Sequence, residues 1–251
     1  MATIARICRY PVKGLSAEDL PRVQLRAGEG LPLDRAFALA RPAAPLDPAR
    51  PKWLPKRYFL MLMRDERLAS LQVAYDDAEG RLTIRQGGGV ALAASVLTPD
   101  GREAIERFFG ALIGPELGGR PRLVRTSGYI FTDHATPYLS LINLASVQEL
   151  ERALGRPVDP VRFRANLYIE GLPAWAELDW PGRTLGAGAV RCRVAERIER
   201  CAATNVDPVS ALRDLDIPRA LRRSWGHIDC GVLLQVTQGG ALAPGDALEL
   251  V

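Results

Sequence analysis

Two histidines, His134 and His227, are all that this chain of 251 residues carries, which excludes a His-rich metal centre. Its four cysteines, Cys8, Cys192, Cys201 and Cys230, form no C-x-x-C pair and have no histidine at zinc spacing. Without a secretory context a disulfide framework is not expected, so any bound metal must take few ligands from the protein. Aromatic residues make up 6% of the chain, leaving the core to Leu, Val, Ala and Ile. No apolar run approaches the ~18 residues that span a bilayer. The opening "MATIARICRYPVKG" has no uninterrupted apolar stretch of signal-peptide type. No membrane partner and a cytoplasmic location are therefore expected. There is also no G-x-S-x-G, no Walker loop and no dinucleotide fingerprint. The "GGG" at 87–89 precedes an apolar strand rather than a helix, and reads as a hairpin.

What is present describes a globular protein, with 47% apolar and 25% charged residues. The net charge is +4, arginine dominates the basic side, and no run of five or six Lys/Arg occurs. Nucleic acid is not expected as a partner. A small anionic ligand held by a few arginine forks suits this distribution.

Periodicity predicts a mainly β protein with a few helices. "TIARICRYPVKG" alternates and stops at Tyr-Pro, as a strand entering a loop does. Two strands, 22–25 and 35–40, follow across a Gly-rich connector, and the five prolines of 42–57 mark an irregular surface loop. Strands flank the Asp-Asp-Ala-Glu-Gly turn. Ile105, Phe108, Phe109 and Leu112 lie at helical spacing, ended by Gly114-Pro115. A second helix begins at "ASVQELERALG", with Ser146 and Glu149 as a capping box and Gly155 as its stop. Short strands with tight turns then run to the end, the pattern of a barrel closing on itself. The best boundary is "GPELGGRPR", giving an N-terminal domain over 1–115 and a second domain over 116–251.

Four places carry candidate chemistry. Cys201 ends a strand, follows Arg197 and Arg200, and precedes the polar turn "AATNVDP". It is packing, a nucleophile or a metal ligand, and nearby cations favour the thiolate that ligates metal. Lys13, beside Gly14 after the first strand, suits a phosphate. Asp34-Arg35 is a surface ion pair or an anion-binding fork. Read as a strand, "RFRANLYIEG" sends Arg162, Arg164 and Asn166 to one face. That face meets either solvent or an anion. Neither histidine has a third member for a triad, and neither is taken as catalytic.

In order, "YPVKG", "GLPLDRAFAL", "RFRANLYIEG", "RCAATNVDP" and the closing "GV…V…GG…GD" resemble the MOSC family, named for the C-terminal domain of molybdenum-cofactor sulfurase. The resemblance covers essentially the whole chain and includes the family's N-terminal β-barrel domain. It implies a MOSC-type β-barrel packed with an N-terminal β-rich subdomain, and a cleft shared by both. It implies a molybdopterin-bound molybdenum whose protein ligand and catalytic residue is Cys201. Lys13, Gly14, Arg35, Asn143, Arg164, Asn166, Arg200, Thr204 and Asp207 would hold the cofactor. The family's terms also include pyridoxal phosphate binding. Similar members of its amidoxime-reducing branch reduce N-hydroxylated small molecules, with electrons from a separate donor protein. The alternatives are a cofactor carrier or persulfide-transfer protein, and a degenerate, non-catalytic module.

Overall fold

A computed structural model of the chain describes residues 1–47, 53–125 and 130–251. Of the proline-rich stretch read as a loop, residues 48–52 lie outside this description. The first half supplies β1 (Ala2–Arg9), β2 (Glu18–Asp19), β3 (Val23–Leu25), β4 (Phe37–Ala40), β5 (Gln72–Asp76), β6 (Arg81–Gln86), β7 (Gly89–Ser95), α1 (Pro99–Ile113) and β8 (Arg122–Arg125). The second supplies β9 (Leu139–Asn143), α2 (Leu144–Leu154), β10 (Leu167–Glu170), β11 (Thr184–Ala187), β12 (Val190–Glu199), α3 (Ile217–Trp225), β13 (Asp229–Gln238), β14 (Gly240–Leu242) and β15 (Ala247–Leu250).

Seven strands close a barrel in the order β10-β9-β13-β12-β11-β15-β1, with β1 pairing back onto β10. A ring with an odd number of strands cannot alternate direction all the way round. The parallel β9–β10 pair resolves this, and α2 forms part of the crossover that a parallel pair requires. The barrel is thus mainly a C-terminal structure completed by the first strand. Alternating positions fill it: Ile4, Leu141, Ile169, Val194, Val232 and Leu234 are buried in one cluster.

The remaining first-half elements build a second core. The meander β5-β6-β7 packs its apolar face with α1, burying Val73, Leu82, Ile84, Ile105, Phe109 and Ile113 together. The hairpin at 87–89 turns as expected, through Gly87 and Gly88 at positive φ. Thr98 caps α1 by accepting from the Gly101 amide.

Two local expectations are overturned. The cap of α2 is Asn143, whose Oδ1 accepts from the Ala145 amide, rather than Ser146. Ser146 is buried and donates instead to Glu177. The segment bearing Arg162 and Arg164 is not a strand. Asp159 accepts from the Val161 amide, Pro160 fixes the next turn, and Pro160–Phe163 forms a 3-10 helix ending at Arg164 in the left-handed region. Pairing with β9 begins only at Leu167. Alternation across a flat face therefore does not describe where these arginines point. Arg35 also stands outside β4, at φ 46.

Candidate functional site

The turns that depart from the expected strands place their side chains in one cleft of about 460 Å³, between the barrel mouth and the first-half elements. Lys13, Gly14, Arg35, Lys56 and Met61–Met63 form one side. Ser140, Arg162, Phe163, Arg164, Asn166 and the run Glu196–Cys201 form much of the other. Its size suits a small-molecule or cofactor site. Seven cations (Lys13, Arg35, Lys56, Arg162, Arg164, Arg197, Arg200) face three carboxylates (Asp133, Glu196, Glu199) among the described lining residues.

Cys201 arrives there because β12 ends at the barrel rim. The β12–β13 register slips between Arg197 and Glu199, an irregularity of the kind that re-aims side chains at barrel rims. Cys201 then sits in extended backbone at the start of the 3-10 turn Ala202–Asn205. Thr204 fastens that turn, its Oγ1 donating to the Cys201 carbonyl at 2.9 Å. Cys201 is part-exposed, in contrast to buried Cys8, Cys192 and Cys230.

Behind the cleft wall, fully buried Tyr10 is flanked by two guanidiniums, with the Cζ atoms of Arg35 and Arg164 each 4.4 Å from its ring centroid. Cation–π attraction offsets part of their mutual repulsion. Asp34 pairs with Arg35 and accepts from the Tyr10 amide at 2.8 Å. Arg35 Nη2 donates to the Arg164 carbonyl at 2.8 Å, and Arg164 Nη1 to the Leu15 carbonyl at 2.6 Å. Arg164 Nη2 is buried with no hydrogen-bond partner. Burial, with Arg35 alongside, lowers the Arg164 pKa to about 10.

Nearer the thiol, Lys13 Nζ donates to Asp133 Oδ1 at 2.5 Å and to the Phe131 carbonyl at 3.0 Å. Gly14 follows at φ +84, where a Cβ would crowd the Leu60 carbonyl at 3.2 Å, so the chain can turn here beside the wall. Lys56 Nζ lies 3.2 Å from Asp133 Oδ2 and 3.6 Å from Cys201 Sγ. Burial pulls the Lys13 pKa below its ordinary value against the opposing pull of Asp133. For Lys56 burial acts in the same direction, but Asp133 and Cys201 outweigh it and raise its pKa. Burial alone would raise the Asp133 carboxyl; the two ammoniums instead hold it down at about 2.

Of the residues expected to hold a cofactor, Lys13, Gly14, Arg35, Arg164, Asn166, Arg200, Thr204 and Cys201 line this cleft. Asn166 and Arg200 do so with their polar atoms already engaged. Asn166 accepts from the Ser140 amide and hydroxyl and donates to the Cys8 carbonyl, tying β9, β1 and the start of β10 together. Arg200 donates to the carbonyls of Phe163 and Cys230. Asn143 and Asp207 are not part of the cleft wall. Asn143 is fully buried between Pro173 and Glu177. Asp207 caps the turn to Ser210 and accepts from Arg162 at 2.7 Å.

Sequence reading missed Lys56 and Asp133. Lys56 lay in a proline-rich stretch read as surface, and Asp133 in "FTDHATP" was passed over with its histidine. Of the two histidines, His134 lines the cleft, its Nδ1 3.5 Å from Glu196. His227 accepts the Asp229 amide at 3.0 Å and serves a turn.

The MOSC domain family matches residues 131–249, and the MOSC N-terminal beta barrel domain family matches residues 1–112. The chain belongs to the MOSC family, in its form with the N-terminal barrel domain, and that family is associated with the molybdenum cofactor. Among curated proteins it is similar to mitochondrial amidoxime-reducing component 1 of Mus musculus, 23% identical over 252 residues spanning 91% of this chain and 73% of that one. Among solved structures, the YUAD protein from Bacillus subtilis covers 100% of this chain and 96% of its own, at 14% identity and a TM-score of 0.47. YiiM from Geobacillus stearothermophilus covers 45% of this chain and 53% of its own, at 26% identity and a TM-score of 0.36. No helix among the described residues is long and apolar enough to cross a membrane.

Proposed function

We propose that this chain is a molybdenum-cofactor oxidoreductase that reduces N-hydroxylated small molecules, R–NH–OH + 2e⁻ + 2H⁺ → R–NH₂ + H₂O, with electrons from a separate donor protein. The observation that carries the reading is the pairing of part-exposed Cys201 at the cleft's rim with a cationic interior in which two arginine nitrogens, Arg162 Nε and Arg164 Nη2, lack a hydrogen-bond partner. That donor set fits the group. A soft thiolate suits molybdenum, and Lys13, Arg35 and Arg164 suit the phosphate of its pterin.

On this reading Cys201 is the protein ligand, and Thr204 fixes the backbone that aims it. Arg164, with its free Nη2, and Arg35, braced by Asp34, hold the anionic tail. Asn166 and Arg200 act behind them, keeping the barrel rim in register. Asn143 and Asp207 shape α2 and the turn after Cys201. The bound cofactor supplies the two-electron centre and the position that takes the substrate oxygen. Exposed His134, Glu196 and Arg197 on the cleft's lining would meet a small substrate as it enters. Both cleft lysines are engaged by Asp133, and the reading assigns no pyridoxal phosphate there. The likeness to an amidoxime-reducing component supports the substrate class, and the proposed setting is cytoplasmic.

The test is molybdenum content and benzamidoxime reduction, with a chemical electron donor, for wild type beside Cys201→Ala. Near-stoichiometric metal and turnover in the wild type, both lost in the variant, are expected. Metal without turnover would favour a carrier. A chain that stays metal-free in a host able to load a control molybdoenzyme would favour a non-catalytic module.

A further inference from the structure

Lys13 comes from the loop after β1, Lys56 from the proline-rich stretch, and Asp133 from the segment before β9, yet one carboxylate bridges both ammoniums. The Lys13 side chain is 9% exposed, whereas that of Asp133 is 46% exposed. Lys13 is thus fixed in the wall, Lys56 is 32% exposed at its edge, and their shared counter-ion sits at the open side. The two oxygens of Asp133 divide between the lysines, Oδ1 to Lys13 and Oδ2 to Lys56. A phosphate or a carboxylate presents oxygens in the same spread. A buried ammonium without a counter-ion is costly, so Lys13 needs an oxyanion at all times, but nothing requires it to be Asp133.

We propose that Lys13 and Lys56 form a single oxyanion seat beside Cys201, that Asp133 fills it as a stand-in when no ligand is present, and that an oxyanion on the incoming ligand displaces that carboxylate towards solvent. Asp133 is then a specificity device. It keeps the cationic wall neutralised and raises the affinity a ligand must bring before it can enter. Because Lys56 touches both Asp133 and the Cys201 thiol, filling the seat also fixes the ammonium next to the proposed metal ligand. The inference deepens the proposed function, and that reading makes the cofactor's phosphate one source of the oxyanion and an acidic substrate the other.

The seat can be tested without the cofactor. The full chain is purified from a host unable to make molybdopterin and titrated calorimetrically with inorganic phosphate at fixed ionic strength. Asp133→Asn is expected to bind phosphate about tenfold more tightly than wild type, because a stand-in lowers apparent affinity by the fraction of sites it occupies. Lys56→Met added to Asp133→Asn should return binding to the wild-type level or below. Asp133→Ser, which removes reach as well as charge, is measured in parallel. Unchanged or weaker binding in the folded variants overturns the proposal, as does a failure of both to fold, since a displaceable carboxylate is not required for folding. Tightening in a chain that never loads molybdenum would sink the proposed function but not the seat. Normal loading without tightening would do the reverse. If the tightened site disappears once cofactor is bound, the oxyanion is the cofactor's; if it persists, it is the substrate's.

Discussion

The guanidinium of Arg200 is locked to the carbonyl oxygen of Cys230, its Nε donating at 2.7 Å. Its Nη1 reaches the Phe163 carbonyl at 3.0 Å, so this arginine joins β13 to the turn that carries Arg164. Arg200→Ala should leave two buried carbonyls unpaired, at about 1–3 kcal/mol each. Chemical denaturation of the cofactor-free chain should show a loss of roughly 2–6 kcal/mol. A chain of unchanged stability would return Arg200 to a purely ligand-binding role.

The four thiols should differ sharply in reactivity. Burial pushes Cys8 and Cys230 up to about 12 and Cys192 up to about 11, so at pH 8 all three stay protonated as well as covered. Iodoacetamide at pH 8, followed by peptide mass spectrometry, should label the native cofactor-free chain at Cys201 alone. Equal labelling at Cys192 would mean that the barrel opens on the time scale of the reaction.

Arg41 and Asp65 form a buried pair that holds the Met61–Met63 side of the cleft. Arg41 Nη2 donates to Asp65 Oδ1 at 2.6 Å, and Asp65 Oδ2 accepts the Met61 amide at 3.0 Å. Asp65→Ala strands the cation, which costs about 3–5 kcal/mol. The double change Arg41→Met, Asp65→Leu should recover most of that loss in melting experiments. Failure to recover would point to the Met61 amide contact as the larger part.

Glu177 makes stability depend on pH. Burial raises its pKa, against the lowering effect of hydrogen bonds from Ser146, its own backbone, Asn143 and the Gly231 amide. A carboxyl raised on folding binds its proton more tightly in the native state. Its contribution is therefore full below the unfolded carboxyl value and falls as pH rises through the folded one. Compared with wild type, Glu177→Gln should lose this slope, so that the difference in melting temperature shifts in favour of the variant between pH 4.5 and 7. A constant difference would remove Glu177 as its source.

Much of the architecture was legible in the chain because the signals were local. Two-residue alternation at the start of 190–199, the apolar run within 229–238 and the spacing of Ile105 and Phe109 are carried by neighbouring residues and survive without knowledge of the rest. Errors arose where a short polar residue had two uses. Ser146 was read as a cap, yet the buried carboxylate of Glu177 captures its hydroxyl, leaving the cap to Asn143. Alternation alone puts Arg162 and Arg164 on a strand, yet Asp159 and Pro160 open a tight turn there. At the site, Lys13, Arg35 and Cys201 stood out beside glycine, aspartate or arginine neighbours. Lys56 stands in a proline-rich stretch beside Arg57, with nothing local to set it apart: its partners Asp133 and Cys201 meet it only through tertiary structure.

The closure of the barrel has a consequence for synthesis. Ala2 pairs with Leu248, and Thr3 with both Ala247 and Glu170. During synthesis β1 therefore waits, one edge unpaired, until Ala247–Leu250 emerges. Sheet edges held open in this way invite pairing with other nascent chains. For this protein the interval between making β1 and making β15 is a window of exposure to misassembly.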